Sequence, residues 1–485
     1  MPSLVRRNSI AALNITSTLI KAAATLLLLL PLASCSTSGD DEWQAGGKAV
    51  SYINITLSVS AGTEQTTRAN TPAGGEEGDG RENGINTREN EVEGVTVIFY
   101  QNAAGINATA ASAAATTMDF VAYYTTTRDD SYTPRTGYHY AGEIYYTTGE
   151  HELSTTTLDK EKTYHVIVVA NADLTGSVTT SSTLAEVRDK VQAAVYTGTG
   201  KATDASRFVM TSEGDNVINF NYSTYDAALN KRTFLFDNIH IERMSARIDY
   251  WANGAEYSEA YDHHGYVYQV GSSTDHFVLT GITPFNLNTG NEYLIKRTDD
   301  AASPYLSDET TTNNVIDCYP AKTYAEHPAY LSSTLTSVLA SMTDGGYNVT
   351  MESQQAAKLT VSSKDDIIIC YPKENTVTAT TPYYYYATGL AFEGYYYKDG
   401  ATTDGERHLY YHFIRHQGES ETAYQAWTPA TLSTTATIGT GPAMNLGIVR
   451  NNIYRVSISG ITPEALLLAI KVKKWDAFTH SYIYM

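Results

Sequence analysis

His408, His412 and His416 recur every four residues, the spacing that sets imidazoles on one face of a helix, where they could share a zinc ion. Tyr411 and Phe413 flank them and favour a strand, in which residues four apart stand about 13 Å from each other and cannot share an ion. His263-His264 diverge if extended. Tyr383 to Tyr386 and Tyr395 to Tyr397 are dense enough to form an aromatic platform for sugars, yet tyrosine is also an ordinary half-buried strand residue. Gly439 and Gly441 do not continue into a dinucleotide fingerprint, no Gly-x-Ser-x-Gly motif occurs, and no pair of carboxylates stands out for acid–base work. No enzyme, metal or cofactor is expected from these residues. Cys318 and Cys370, each followed by Tyr-Pro, are read as a disulfide or as two separate buried thiols. One bond does invite chemistry: Thr67-Arg68-Ala69 offers a site of proteolytic cleavage.

What sits in front of that bond matters more than the bond itself. Over Tyr52 to Val59, Ile53, Ile55, Leu57 and Val59 alternate with Asn54, Thr56 and Ser58, the pattern of a strand with one buried face. From Gly62 to about Asn90 the chain is Gly, Glu, Thr, Asn and Arg with hardly an aliphatic residue. Such a segment cannot bury enough to offset its ordering entropy and should be open to proteases. A core strand on a cuttable tether is a removable strand, or an ordinary first strand followed by a long loop. Burying four aliphatic side chains contributes about 6 to 12 kcal/mol, which rivals the whole stability of a domain, about 5 to 15 kcal/mol.

The chain has 485 residues, enough for about two or three domains. Its 38 tyrosines and many threonines point to β structure, and a net charge of −20 without a basic run excludes a nucleic-acid partner. Arg6, Arg7 and Lys21 precede an apolar run, Ala22 to Leu30, too short to span a bilayer, so residues 1–34 read as a secretory signal. It ends in Leu32-Ala33-Ser34-Cys35, which resembles a bacterial lipoprotein box and implies cleavage before Cys35 and acylation of its thiol. Ser36 and the acidic Asp40-Asp41-Glu42 resemble a surface-export tract of Bacteroidetes lipoproteins.

Farther on, Val95 to Tyr100 reads as a strand buried on both faces, Gln101 to Thr117 as a loop, and Thr163 to Asn171 as a central strand. Thr183 and Glu186 make a capping box for a helix that packs Leu184, Val187, Val191 and Val195 across a sheet. Phe208 to Ser212 is a short strand. After Ile239 to Tyr250 the strand-and-turn pattern starts afresh, which sets a domain boundary near 245. The second half has one expected helix, Pro328 to Met342, among Tyr- and Thr-rich strands.

In their order and spacing, the lipoprotein box, the strand before Arg68-Ala69, Val95 to Tyr100, Tyr164 to Asn171, Phe208 to Ser212, Glu242 to Ile248, Tyr371 to Asn375 and Val449 to Val456 resemble the FimA/Mfa1-like fimbrillins. These are the subunits of type V pili of Bacteroidetes. The resemblance implies a mainly β chain of two transthyretin-like β-sandwich domains with a few short helices. It implies an outer-membrane lipoprotein with a transient lipid anchor on Cys35. An arginine-specific protease would cut at Arg68 and Ala69, with Arg81 and Arg88 as weaker options, and release Ile53, Ile55, Leu57 and Val59. A neighbouring subunit's C-terminal strand would fill the groove, making a pilus that adheres to a host or bacterial surface receptor. The expected parts are a propeptide 35–68, an N-terminal domain 69–245, a C-terminal domain 246–460 and an appendage 461–485.

Two segments of that appendage alternate as a donor strand should. Leu466, Leu468, Ile470 and Val472 form one set, which serves equally as the closing strand of the second domain. Phe478, His480, Tyr482 and Tyr484 form the other, opposite Thr479, Ser481, Ile483 and Met485. The rival readings are a tip or accessory subunit of the same pilus, an anchor that keeps its lipid, and a surface glycan-binding lipoprotein that uses its tyrosines.

Overall fold

The computed structural model describes residues 50–59, 89, 91–129, 131–132, 144–153, 158, 162–199, 207–218, 223–290, 294–295, 331–333, 337–338, 349–350, 367–377, 386–414, 420–426, 446–462 and 465–474. They form a mainly β fold with short helices. Residues 52–224 and 233–485 make one compact unit. In the remaining unit, the turn after Asp226 is held by Asp226 Oδ1, which accepts from the Ala228 and Leu229 amides at 2.9 and 3.2 Å.

The first sheet is built on β1 (Val50–Val59), β2 (Gly94–Tyr100), β3 (Met118–Thr125), β4 (Ile144–Thr147), β5 (His151–Glu152), β6 (Tyr164–Ala170), β7 (Met210–Ser212) and β8 (Lys231–Arg243). Its order is β3-β2-β6-β7-β8-β1-β4, with β5 also on β1. Every residue of β2 is buried, as its unbroken apolar run predicts, and antiparallel pairing sets Ile98 opposite Ile167 of β6 and Val121 of β3. Helix α1 (Ala110–Ala115) occupies part of the stretch expected to be a loop. Three consecutive alanines at its end have the highest helix propensity, and the Thr109 side chain caps it by accepting from the Ser112 amide at 3.3 Å. Helix α2 (Leu184–Ala194) opens with the expected capping box: the Glu186 amide donates to Thr183 Oγ1 at 3.2 Å, and the Thr183 amide to Glu186 Oε2 at 2.7 Å. Leu184, Val187, Val191 and Val195 join the core over Ile98, Tyr100, Ile167 and Val169.

At Met244 to Ala246 the chain leaves this sheet and enters the second. That sheet contains β9 (Arg247–Trp251), β10 (Gly265–Gln269), β11 (His276–Phe285), β12 (Ile367–Tyr371), β13 (Gly389–Tyr397), β14 (Glu406–Phe413), β15 (Ser420–Ala426), β16 (Asn452–Thr462) and β17 (Ala465–Lys474), in the order β10-β11-β13-β14-β15-β17-β16-β9-β12. Its core gathers Ile248, Tyr250, Phe277, Phe392, Tyr410, Tyr454 and Leu468. Gly198–Thr199, from the far side of the sheet switch, adds to its edge at Tyr371 and Cys370. The helix expected from Pro328 is corrected at its start. Leu331–Ser332 is a strand paired with Leu287–Asn288, because tertiary pairing outweighs a short apolar periodicity there. Among the described residues of that segment, Ser337 and Val338 are helical, and the rest lie outside the described residues.

Candidate functional site

β1 is an interior strand, with β8 along one edge and β4 and β5 along the other. Its antiparallel register to β4 pairs Thr56 with Thr147, Leu57 with Tyr146, Ser58 with Tyr145 and Val59 with Ile144. Ile53 faces His151 of β5. Between these two partner strands the backbone departs at Thr148 to Gly149, where Gly149 takes φ 70°. The Thr148 hydroxyl replaces a ladder carbonyl and accepts from the Ile55 amide at 3.0 Å, while the Thr148 amide donates to the Ile55 carbonyl at 3.0 Å. Ile53, Ile55, Leu57 and Val59 are 0 to 1% exposed, so the predicted apolar face is the buried one.

The opposite face is not uniformly open, which alternation alone did not suggest. Asn54 is half-buried, and its Oδ1 accepts from the Thr147 hydroxyl at 3.0 Å. Thr56 and Ser58, by contrast, are buried, Ser58 completely. Ser58 Oγ lies 3.0 Å from Nδ1 of His240 on β8, and Tyr145 lies across the strand from it. The bed of β1 is therefore open on one side at its beginning and closed on both sides at its end.

A second assembly lies where the chain switches sheets. Glu89, just beyond the Gly- and Glu-rich tether, is fully buried. Its carboxylate accepts from Arg247 Nη1 at 2.8 Å and from the Tyr371 hydroxyl, and its carbonyl accepts from Arg243 Nε at 2.9 Å. Arg247 also grips Asp249 at 2.7 Å, and Arg243 reaches Asn451 Oδ1 at 3.0 Å. Nearby Arg450 Nε pairs with Glu374 at 3.0 Å. Burial acts to lower the Arg247 guanidinium, but the charges of Asp249 and Glu89 outweigh it and hold it up. At Asp249 burial outweighs Arg247 and pushes the carboxyl up. Charges placed between apolar residues along Ile241 to Asp249 were the available sequence signal for this cluster.

The other residues singled out fall as follows. Cys35, Arg68, Ala69, Arg81 and Arg88 lie outside the described residues, as do Phe478, Tyr482, Ile483, Tyr484, Cys318 and His416. Leu466, Leu468 and Ile470 are buried in the second core on β17, whose two edges are taken by β16 and β15; Val472 stands opposite Tyr454. In this chain the segment is paired on both edges within its own sheet. Cys370 is a free, fully buried thiol pushed up by burial. His408 and His412 are on a strand, opposite Gly394 and Leu390, and among the described residues no group of three or more His, Cys, Asp or Glu could hold a metal ion. Tyr396 and Tyr397 are buried, their hydroxyls donating to Asp275 and Asp262, and half-buried Tyr395 stacks on His263 with ring centres 3.4 Å apart.

Comparison with protein families and with curated proteins gives no match. Among solved structures, the chain is similar to the tip fimbrial protein Mfa3 from Porphyromonas gingivalis with a C-terminal truncation, at 9% identity, 87% of this chain, 99% of that one and a TM-score of 0.37. It is also similar to a candidate cell adhesion protein from Bacteroides eggerthii, at 10% identity, 88% and 96% coverage and a TM-score of 0.36. A candidate cell adhesion protein from Parabacteroides distasonis stands at 13% identity, 88% and 97% coverage and a TM-score of 0.36.

Proposed function

We propose that this chain is a structural subunit of a Bacteroidetes surface pilus, exported as a lipoprotein on Cys35, relieved of its first strand by an arginine-specific protease, and assembled by accepting another strand in its place. One observation carries the reading: β1 is an interior strand with four fully buried aliphatic residues, and the chain that tethers it is poor in anything that could fix it. Loss of β1 would expose two strand edges and an apolar trough, a state that proteins avoid. An incoming strand restores both ladders and refills alternate pockets, and the free energy recovered makes assembly nearly irreversible.

A tip or accessory role within the same pilus is favoured by one specific feature. β17 is committed on both edges to its own sheet, which leaves only residues 475–485 of the appendage for donation. The glycan-binding alternative has less support, since Tyr396 and Tyr397 are spent on packing and on hydrogen bonds to aspartates.

The test is the N-terminal sequence and intact mass of the protein taken from the cell surface. A chain starting at Ala69, or after Arg81, is the expected result. A chain still starting at acylated Cys35 overturns the proposal.

A further inference from the structure

β1 does more than fill apolar pockets: its last turn-free residues are enclosed on both faces. Ser58 has no exposed surface, lies between Tyr145 and the edge formed by β8, and shares a 3.0 Å hydrogen bond with His240 Nδ1. From this we infer that the groove left by β1 selects a strand bearing a small hydroxyl residue, serine or threonine, at the place of Ser58, and that the C-terminal appendage of a second copy of this chain does not fill it. The inference rests on the reading that β1 is replaceable.

The exclusion of the C-terminal appendage of a second copy follows from its own sequence. Consider strands running in the direction of β1, the one that keeps its antiparallel ladder to β4. With Leu466, Leu468, Ile470 and Val472 in the four pockets, Lys471 takes the Ser58 place. An ammonium without a partner is then driven into a site closed to water. With Phe478, His480, Tyr482 and Tyr484 in the pockets, Ile483 takes that place and His480 replaces buried Ile55. In the other frame of the tail, Tyr484 takes it, where an extra ring must displace packed neighbours. None of these three registers offers a small hydroxyl to His240, and a register that does, with Ser481 at the Ser58 place, drives Asp476 into the Ile53 pocket and His480 into that of Leu57. The fitting occupant has four alternating apolar residues and serine or threonine between the last two.

The experiment uses the full chain nicked in its tether by trypsin, with release of the native β1 fragment followed by native mass spectrometry as peptides are added. A Tyr52–Val59 peptide should displace the fragment. Its Ser58→Ala version should need about tenfold more, the loss of one buried hydrogen bond. Its Ser58→Lys version, and peptides covering 465–473 and 477–485, should not displace it over the same range. With His240→Leu protein, still exchanging the parent peptide, the serine–alanine gap should close. Displacement by either C-terminal peptide, or by the lysine version, as readily as by the parent overturns the inference and leaves the replaceable strand standing. Failure of the parent peptide to exchange overturns both.

Discussion

At the scale of single residues, Glu89 has the most to answer for. It is the first described residue after the tether, yet it is held by Arg247, Tyr371 and Arg243 with no exposed surface. Losing one partner of a buried ion pair costs about 3 to 5 kcal/mol, and because Arg247 keeps Asp249 the lower end of that range applies here. Glu89→Ala is therefore expected to lower the unfolding free energy by that amount in urea titration of the full chain. A loss under about 1 kcal/mol, the range of surface pairs, would mean that the cluster does not bind the sheets as its geometry suggests. The position also bears on the proposed maturation. A protease needs the residues on both sides of its bond extended and accessible, so Arg88-Glu89 is a poorer substrate than bonds farther up the tether. His240 and Ser58 matter for a different reason: they turn a generic apolar trough into one with a chemical preference.

Among the elements, β14 carries a titration that can be read in solution. Burial lowers the pKa of His408, against a weaker opposing pull from Glu406, whose carboxylate lies 3.8 Å away. An ordinary histidine titrates near about 6.5. Because the folded-state value lies below that, the unfolded chain binds more protons in between, and stability rises with pH across the window. Acidification from about pH 6.5 should thus destabilise the fold, with the contribution of His408 gone once pH falls through its folded value. Thermal unfolding of His408→Gln between pH 7 and pH 5 should show a shallower decline than the parent. An unchanged slope would assign the pH dependence elsewhere. β17 makes the complementary point about elements: an alternating segment can be a donor for another molecule or a strand of its own sheet, and here both of its edges are paired within its own sheet.

For the molecule as a whole, the two ends of the chain play unequal parts. β1 closes the first sheet from within and β17 closes the second, so each is needed for a complete fold. Deleting residues 465–485 removes a strand with both edges paired and should abolish cooperative unfolding of the second sheet. The shorter deletion, 478–485, leaves β17 whole. Polymer yield then separates the roles: a stalk subunit loses assembly with the short deletion, and a tip subunit does not.

How much of this could be read beforehand depends on the range of the interactions involved. Strand alternation at Tyr52 to Val59, the unbroken run Val95 to Tyr100 and the Thr183–Glu186 capping box are local patterns, and the fold follows them. The alanine helix at 110–115 was local too, and was missed because Thr and Asn around it read as loop. The strand at Leu331 was not local, since its partner lies more than forty residues earlier, at Leu287–Asn288. The sequence by itself determined which face of β1 is apolar, because side-chain period acts over neighbouring residues. Only the tertiary structure decided that Ser58 meets His240, that Glu89 joins Arg247 and Tyr371, and that β17 lies between β15 and β16. Those contacts join residues far apart along the chain, and which distant partners meet is fixed by the packing of the whole core.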